Sequence, residues 1–130
     1  MMYAEMRIQS FNADPMRELI KVFKALSDET RLRMLQLLSE GDLCVCEIMQ
    51  ALNISQTRAS RNLGILRDAG LLVDKRDGQW VHYSLNKERM GDYAALVELL
   101  SHSLKEEETI LIDKENLKRA IRASLRRSQC

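Results

Sequence analysis

The stretch LCVCEIMQALNISQTRASRNLGILRDAG, residues 43–70, decides the fold. Val45, Ile48, Met49 and Leu52 recur at helical spacing and predict a helix over about 43–52. Asn53 and Ile54 make a short turn. Ser55 is a helix N-cap, and the next helix runs to Ala69-Gly70. Its Ala59, Leu63 and Leu66 face inward. Gln56, Ser60 and Arg67 fall on the opposite side, with Thr57, Arg58, Arg61 and Asn62 beside them. Two short helices joined by a tight turn, the second polar on one face, make a helix-turn-helix.

Downstream, residues 71–75 and 79–85 read as two strands around Arg76-Asp77-Gly78. Asp-Gly between strand-like runs is a hairpin signal. A helix from about 90 to 105 carries Tyr93, Leu96, Val97, Leu100 and Leu104, and a last one from about 114 to 127 carries Leu117, Ile121 and Leu125. Upstream, Asp14-Pro15 is a helix start, followed by Met16, Leu19, Ile20, Phe23 and Leu26 at helical spacing. Ser27 and Asp28 open the next helix, with Leu32, Leu35 and Leu38 as its stripe and Gly41 as a left-handed stop. The expected fold is mainly α with a small β-hairpin wing, a winged helix-turn-helix. Its divisions are an arm at 1–14, a winged helix-turn-helix domain at 15–105, and a basic helical extension at 106–130.

Composition fits one domain. The 130 residues are 45% apolar, with 20 Lys and Arg against 19 Asp and Glu. Net charge near zero says nothing about nucleic acid, so any electrostatic footprint is local. No apolar run approaches bilayer length, and residues 1–14 hold no apolar core of a signal peptide. Three cysteines, two at C-x-C spacing, are not a disulfide framework, and a reducing cytoplasm is the simpler setting. There is no Ser/His/Asp set, no glycine-rich phosphate loop and no histidine pair with a carboxylate. An enzyme is not expected.

The start of the second helix offers Ser55, Gln56, Thr57, Arg58, Ser60, Arg61 and Asn62 to DNA. Gln pairs with adenine and Arg with guanine or phosphate in the major groove. The hairpin tip adds Lys75 and Arg76. An ordinary amphipathic helix has the same polarity, but the hairpin directly after it favours the DNA-binding reading. The basic residues Lys114, Lys118, Arg119, Arg122, Arg126 and Arg127 are offset by Glu106 to Glu108 and Asp113, and read as a solvated face.

Cys44 and Cys46 open the first helix of the pair. Thiolates are soft ligands for thiophilic ions, and a helix N-terminus favours the thiolate. At about 100° per residue, positions two apart on a helix point roughly 200° apart. Binding one ion at both sulfurs is therefore expected to unwind or re-aim the helix start. Structural cysteines beside a core have the same spacing.

Several joined pieces resemble the ArsR/SmtB family of metalloregulatory repressors, over about Met16 to Leu85. They are KALSDETRLR (24–33), LCVCEI (43–48), Ser55-Gln56, SRNL (60–63), LRDAGLL (66–72) and GQWVHYSL (78–85). The resemblance implies a homodimer on double-stranded operator DNA that dissociates when its inducer binds. The LCVC segment points to the arsenic-responsive branch, with arsenite or antimonite as inducer and no organic cofactor. In that branch Cys44 and Cys46 are the sensing thiolates. The family dimerises through the helix carrying Tyr93, Leu96, Val97, Leu100 and Leu104, together with the first helix.

This sequence departs from the family pattern at some positions. Met49 stands where some members have a third cysteine, so the third ligand is Cys130, water or hydroxide, or none. A two-thiolate site equally suits a trivalent organoarsenical. The arm at 1–14 lacks the cysteines of cadmium and lead sensors. Asp92 fits the first position of the zinc-sensor pattern, but Ala94 replaces its histidine and His102 is isolated. His82 is read as support for the wing. A thiol redox sensor on the same scaffold is the remaining alternative.

Overall fold

The computed structural model describes residues 14–127, with the side chains of 90, 91 and 124–127 outside that description. Most of the expected arm and Cys130 therefore lie outside the described residues. The order is α1 (Pro15–Leu26), α2 (Glu29–Leu38), β1 (Leu43–Cys44), α3 (Val45–Leu52), α4 (Gln56–Asp68), β2 (Leu72–Asp77), β3 (Trp80–Leu85), α5 (Lys87–Leu104) and α6 (Glu108–Arg127).

Local signals start and stop most helices. The Asp14 carboxylate accepts from the N–H groups of Met16 and Arg17 at 3.1 and 3.4 Å. Asp28 accepts from Arg31 N at 3.0 Å, and Ser55 Oγ from Arg58 N at 3.2 Å. Each satisfies a backbone donor that the first helical turn leaves open. Gly70, at φ +86°, ends α4: its N–H meets Arg67 O at 2.8 Å and Leu71 N–H meets Leu66 O at 3.0 Å. This is a Schellman closure, which needs the left-handed residue. A side chain at position 70 would also press on the Arg89 guanidinium, 3.1 Å from an added Cβ. Gly41 plays no such part. It lies beyond the end of α2 with φ +153°, away from the left-handed helical region.

The sheet has three antiparallel strands in the order β1-β3-β2. Leu72 to Asp77 pairs with Leu85 to Trp80, so the hairpin turn is Gly78-Gln79 and not Arg76-Asp77-Gly78. Gly78 has φ +64° and Gln79 has no positive φ, the pattern of turns with glycine first. β1 adds Leu43 opposite Tyr83 and Cys44 opposite His82. The predicted helix over 43–52 thus begins later, at Val45, because its first two residues are held in a strand. α5 begins earlier than expected because Asn86 Oδ1 accepts from Arg89 N at 3.3 Å.

One apolar core joins Val22, Met34, Leu37, Ile48, Leu63, Leu66, Leu71 and Leu72, all almost fully buried. α6 packs across α3 and α2 and sends Leu117 into this same core. It starts at Glu108, six residues before the predicted start, with acidic residues in the first turn where the helix dipole favours them. The reading of Asp113 as part of a solvated face is overturned. Asp113 is 1% exposed, and Arg33 donates to both of its oxygens at 2.8 Å. The Arg33 guanidinium is held above its ordinary pKa, first by this hydrogen bond and against the opposing effect of burial. Lys114 Nζ meets Glu40 at 3.2 Å, and Asn116 donates to Ala51 O at 3.2 Å.

Removing Arg33 leaves the Asp113 carboxylate buried without its counter-ion. Arg33→Ala is expected to lower unfolding free energy by about 3–5 kcal/mol, read from urea denaturation. A change under ~1 kcal/mol, the range of exposed ion pairs, contradicts the structural role given to this contact.

Candidate nucleic-acid interface and thiol site

α3 and α4 form the helix-turn-helix. Asn53, at φ +56°, closes α3, and Ile54 N–H returns to Met49 O at 3.1 Å. The turn delivers Ser55 as cap, and the first turns of α4 project from it. Gln56, Thr57, Arg58, Ser60 and Arg61 are exposed. Asn62 differs from them. It is buried, accepts from Arg31 Nη1 at 2.8 Å and donates to Arg58 O at 2.9 Å. Its amide therefore ties α4 to α2. Arg31 also donates to Ala25 O at 2.6 Å and Lys24 O at 3.2 Å, bracing the end of α1. Arg58 Nη2 donates to the buried Thr30 hydroxyl at 2.9 Å. Sequence reasoning missed Thr30 and Arg31, whose spacing along α2 gives no hint of partners on α4.

Lys75 and Arg76 are exposed on β2, below the turn at Gly78-Gln79. Consecutive strand residues point to opposite faces, so these two cations do not share one.

The cysteines adopt a geometry that overturns the helical expectation. Cys44 has φ −88° and ψ 164°, extended backbone, and precedes α3 as its N-cap. Cys46 lies in the first turn. The roughly 200° divergence of two helical positions does not apply, because only one of them is helical. The two Sγ atoms stand 4.0 Å apart. No unwinding of α3 is needed to bring them together. Glu47 accepts from Cys44 N at 3.0 Å and fixes the turn, while Gln50 Nε2 lies 3.8 Å from Cys46 Sγ. Cys44 is buried and Cys46 half-buried.

A cavity of about 340 Å³ opens on the pair, lined by Cys44, Val45, Cys46, Met49, Gln56, Gln79, Trp80 and Val81. Among the described residues, no group of three or more His, Cys, Asp and Glu side chains is placed to hold a metal ion. Asp92 and His102 are exposed on α5. His82 is half-buried in β3 opposite Cys44.

The α5 residues Tyr93, Leu96 and Leu100 are half-buried against the chain's own core, and Val97 and Leu104 are also half-buried. The more exposed apolar stripe is on α1: Met16 at 70%, Leu19 at 41%, Ile20 at 43% and Phe23 at 52%. The ion pair of Arg89 Nη2 with Glu18 at 2.7 Å joins α1 to α5.

Residues 28–73 match the family model of bacterial regulatory proteins of the arsR family. The arsenic resistance transcriptional regulator ArsR1 of Pseudomonas putida is 49% identical over 87 residues, 64% of this chain and 68% of its own length. The chain belongs to the arsR family. The arsenical resistance operon repressor of Escherichia coli is 54% identical over 68 residues, 52% of this chain and 58% of its own length. The chain thus spans under two thirds of that repressor. Among solved structures, HlyU of Vibrio cholerae superposes with TM-score 0.62 at 30% identity, over 69% of this chain and 95% of that one. A homodimeric winged helix-turn-helix DNA-binding domain of Mycobacterium bovis superposes with TM-score 0.61 at 32% identity, over 72% and 83%. These relatives are named as regulators, not enzymes. In this arsR-family chain the family model spans both cysteines, the whole of α4 and the start of the wing.

Asn62→Ala leaves Arg31 without its acceptor on α4. It is expected to cost about 1–3 kcal/mol of stability, read by thermal or urea unfolding. Unchanged stability would show that the Arg31–Asn62 contact does not hold α4 in place.

Proposed function

We propose that this arsR-family chain is a homodimeric repressor that holds operator DNA with α4 and the wing and releases it when trivalent arsenic or antimony binds Cys44 and Cys46. The observation that carries this reading is the 4.0 Å separation of the two sulfurs on the turn into the helix-turn-helix. Two sulfurs on tetrahedral zinc, through bonds of about 2.3 Å, stand roughly 3.8 Å apart, and pyramidal trivalent arsenic, with narrower angles, would hold them somewhat closer. The pair is within a few tenths of an ångström of that spacing, so the residues fit a thiophilic ion. The arsenic-resistance names of the relatives point the same way. When bound, the ion draws the two sulfurs together. The third position would fall to Cys130, outside the described residues, to water or hydroxide, or to no ligand.

On the DNA side, Gln56, Thr57, Ser60 and Arg61 are the exposed candidates for base edges. Ser55, Arg58, Lys75 and Arg76 suit the backbone, and Asn62 positions α4 from behind. Self-association draws on the exposed α1 stripe of Met16, Leu19, Ile20 and Phe23, with the side of α5 carrying Tyr93, Leu96, Val97, Leu100 and Leu104.

A second reading keeps the same sulfurs and changes the inducer. The cavity exceeds several times the roughly 30 Å³ share of one water, far more than an ion needs. It has room for trivalent arsenic bearing an organic substituent.

The test is anisotropy of a labelled duplex from the promoter region of the chain's own gene, in reductant. Arsenite is expected to weaken binding by about 5- to 150-fold, and Cys44→Ser and Cys46→Ser to remove that effect. If phenylarsine oxide releases the duplex and arsenite does not, the inducer is organic. If only peroxide releases it, the thiols sense oxidation and the metalloid reading fails.

The dimer has its own measurement. Phe23→Glu puts a charge into the α1 stripe and is expected to shift sedimentation from dimer to monomer and to weaken duplex binding. A variant that still sediments as a dimer places the interface elsewhere.

A further inference from the structure

The wall of the thiol cavity opposite the cysteines is built from the elements assigned to DNA. Gln56 is the first residue of α4, and Gln79, Trp80 and Val81 belong to the wing. The sheet register explains why. Directly paired strand residues share a face, and so do residues two apart along one strand. Cys44 pairs with His82, and Trp80 is two residues from His82 on β3. Cys44, His82 and Trp80 therefore lie on one face, with the indole diagonal to the cysteine, a spacing within reach of an aromatic ring. Trp80 also pairs with Asp77 at the last step before the Gly78-Gln79 turn. It is half-buried, and it is the chain's single tryptophan.

We propose that Trp80 is the positioning residue that couples the thiol site to DNA: a ligand seated at Cys44 and Cys46 meets the indole and through it shifts the wing relative to the start of α4. This rests on the repressor reading above and specifies its route. Gln56, on the same wall, is where the shift reaches the recognition helix. Cys44 contributes to both ends, because its backbone is paired into the wing while its sulfur holds the ligand.

The experiment measures the coupling factor, the ratio of duplex Kd with saturating arsenite to duplex Kd without it, for the full chain in reductant. Tryptophan emission is followed in the same titration. In the wild type the emission is expected to change and to saturate with the arsenite Kd found by calorimetry. Cys44→Ser is expected to abolish that change. Trp80→Ala is expected to lower the coupling factor by about tenfold, a larger change than any in its arsenite Kd. Trp80→Phe is expected to restore most of the coupling, since the flat ring is kept. Where Trp80→Ala melts too low to assay, Trp80→Phe and the wild-type emission decide. Trp80→Ala with wild-type coupling overturns the inference, as does wild-type release with unchanging emission; both leave the repressor reading standing. A wild-type coupling factor of one overturns that reading and this inference together.

Discussion

Two residue pairs, Leu43 with Tyr83 and Cys44 with His82, decide how this molecule is wired. They attach the segment before the helix-turn-helix to the middle strand of the sheet. Without them residues 43 and 44 would be free to join α3, and the two cysteines would diverge on one helix. With them Cys44 is extended, Cys46 is helical, and the sulfurs converge at 4.0 Å. The same pairing puts the thiol turn in backbone contact with the wing. A short strand thus shapes the cysteine turn and links it to the β2–β3 hairpin.

α3 is also held from its other side. α6 lies across it, and Asn116 bonds to Ala51 O near its end. α6 is in turn pinned to α2 by the buried pair of Arg33 and Asp113. A buried ion pair adds little stability over an apolar contact but tolerates few alternative arrangements, because each unpaired state leaves a charge in the interior. Here it sets the register of α6 against α2, and therefore the platform on which α3 rests. Arg31 and Asn62 do similar work for α4, through a guanidinium that also braces the end of α1.

Much of this was readable from residues close in sequence. Asp14-Pro15, Asp28, Ser55 and Gly70 mark helix ends through contacts with near neighbours, and each sits where local chemistry placed it. Helical periodicity located α2 to α4 because one face of each packs on a single core, and α1 because it carries an apolar stripe, most of which stays exposed on the chain. What escaped depends on partners far along the chain. A two-residue strand has no periodicity, so β1 was absorbed into a helix. Asp113 lies 80 residues from Arg33, and in isolation it resembles any surface acid. Asn62 sits among exposed residues by position, and only Arg31 reveals its inward role. Trp80 stood in a strand pattern, where an aromatic needs no further explanation.

These constraints bear on how a signal travels. Unwinding the start of α3 would disturb Ile48, at the end of its first turn and fully buried in the core. Burying an isoleucine side chain is worth about 1.5–3 kcal/mol, so that route runs against a well-packed part of the molecule. The wing offers less resistance. From Val73 to Asp77, β2 is exposed; Asp74 pairs with Arg67 of α4 at 3.1 Å, and toward the tip the strand is paired to β3. On the proposed reading, a ligand that draws Cys44 and Cys46 together pulls on the first turn of α3 and on the extended residue whose backbone is paired to β3. The softer element lies next to the sulfurs and the stiff one behind them. On the proposed reading, motion at the cysteine pair therefore falls on the wing and on the first turn of α4, the two surfaces assigned there to DNA.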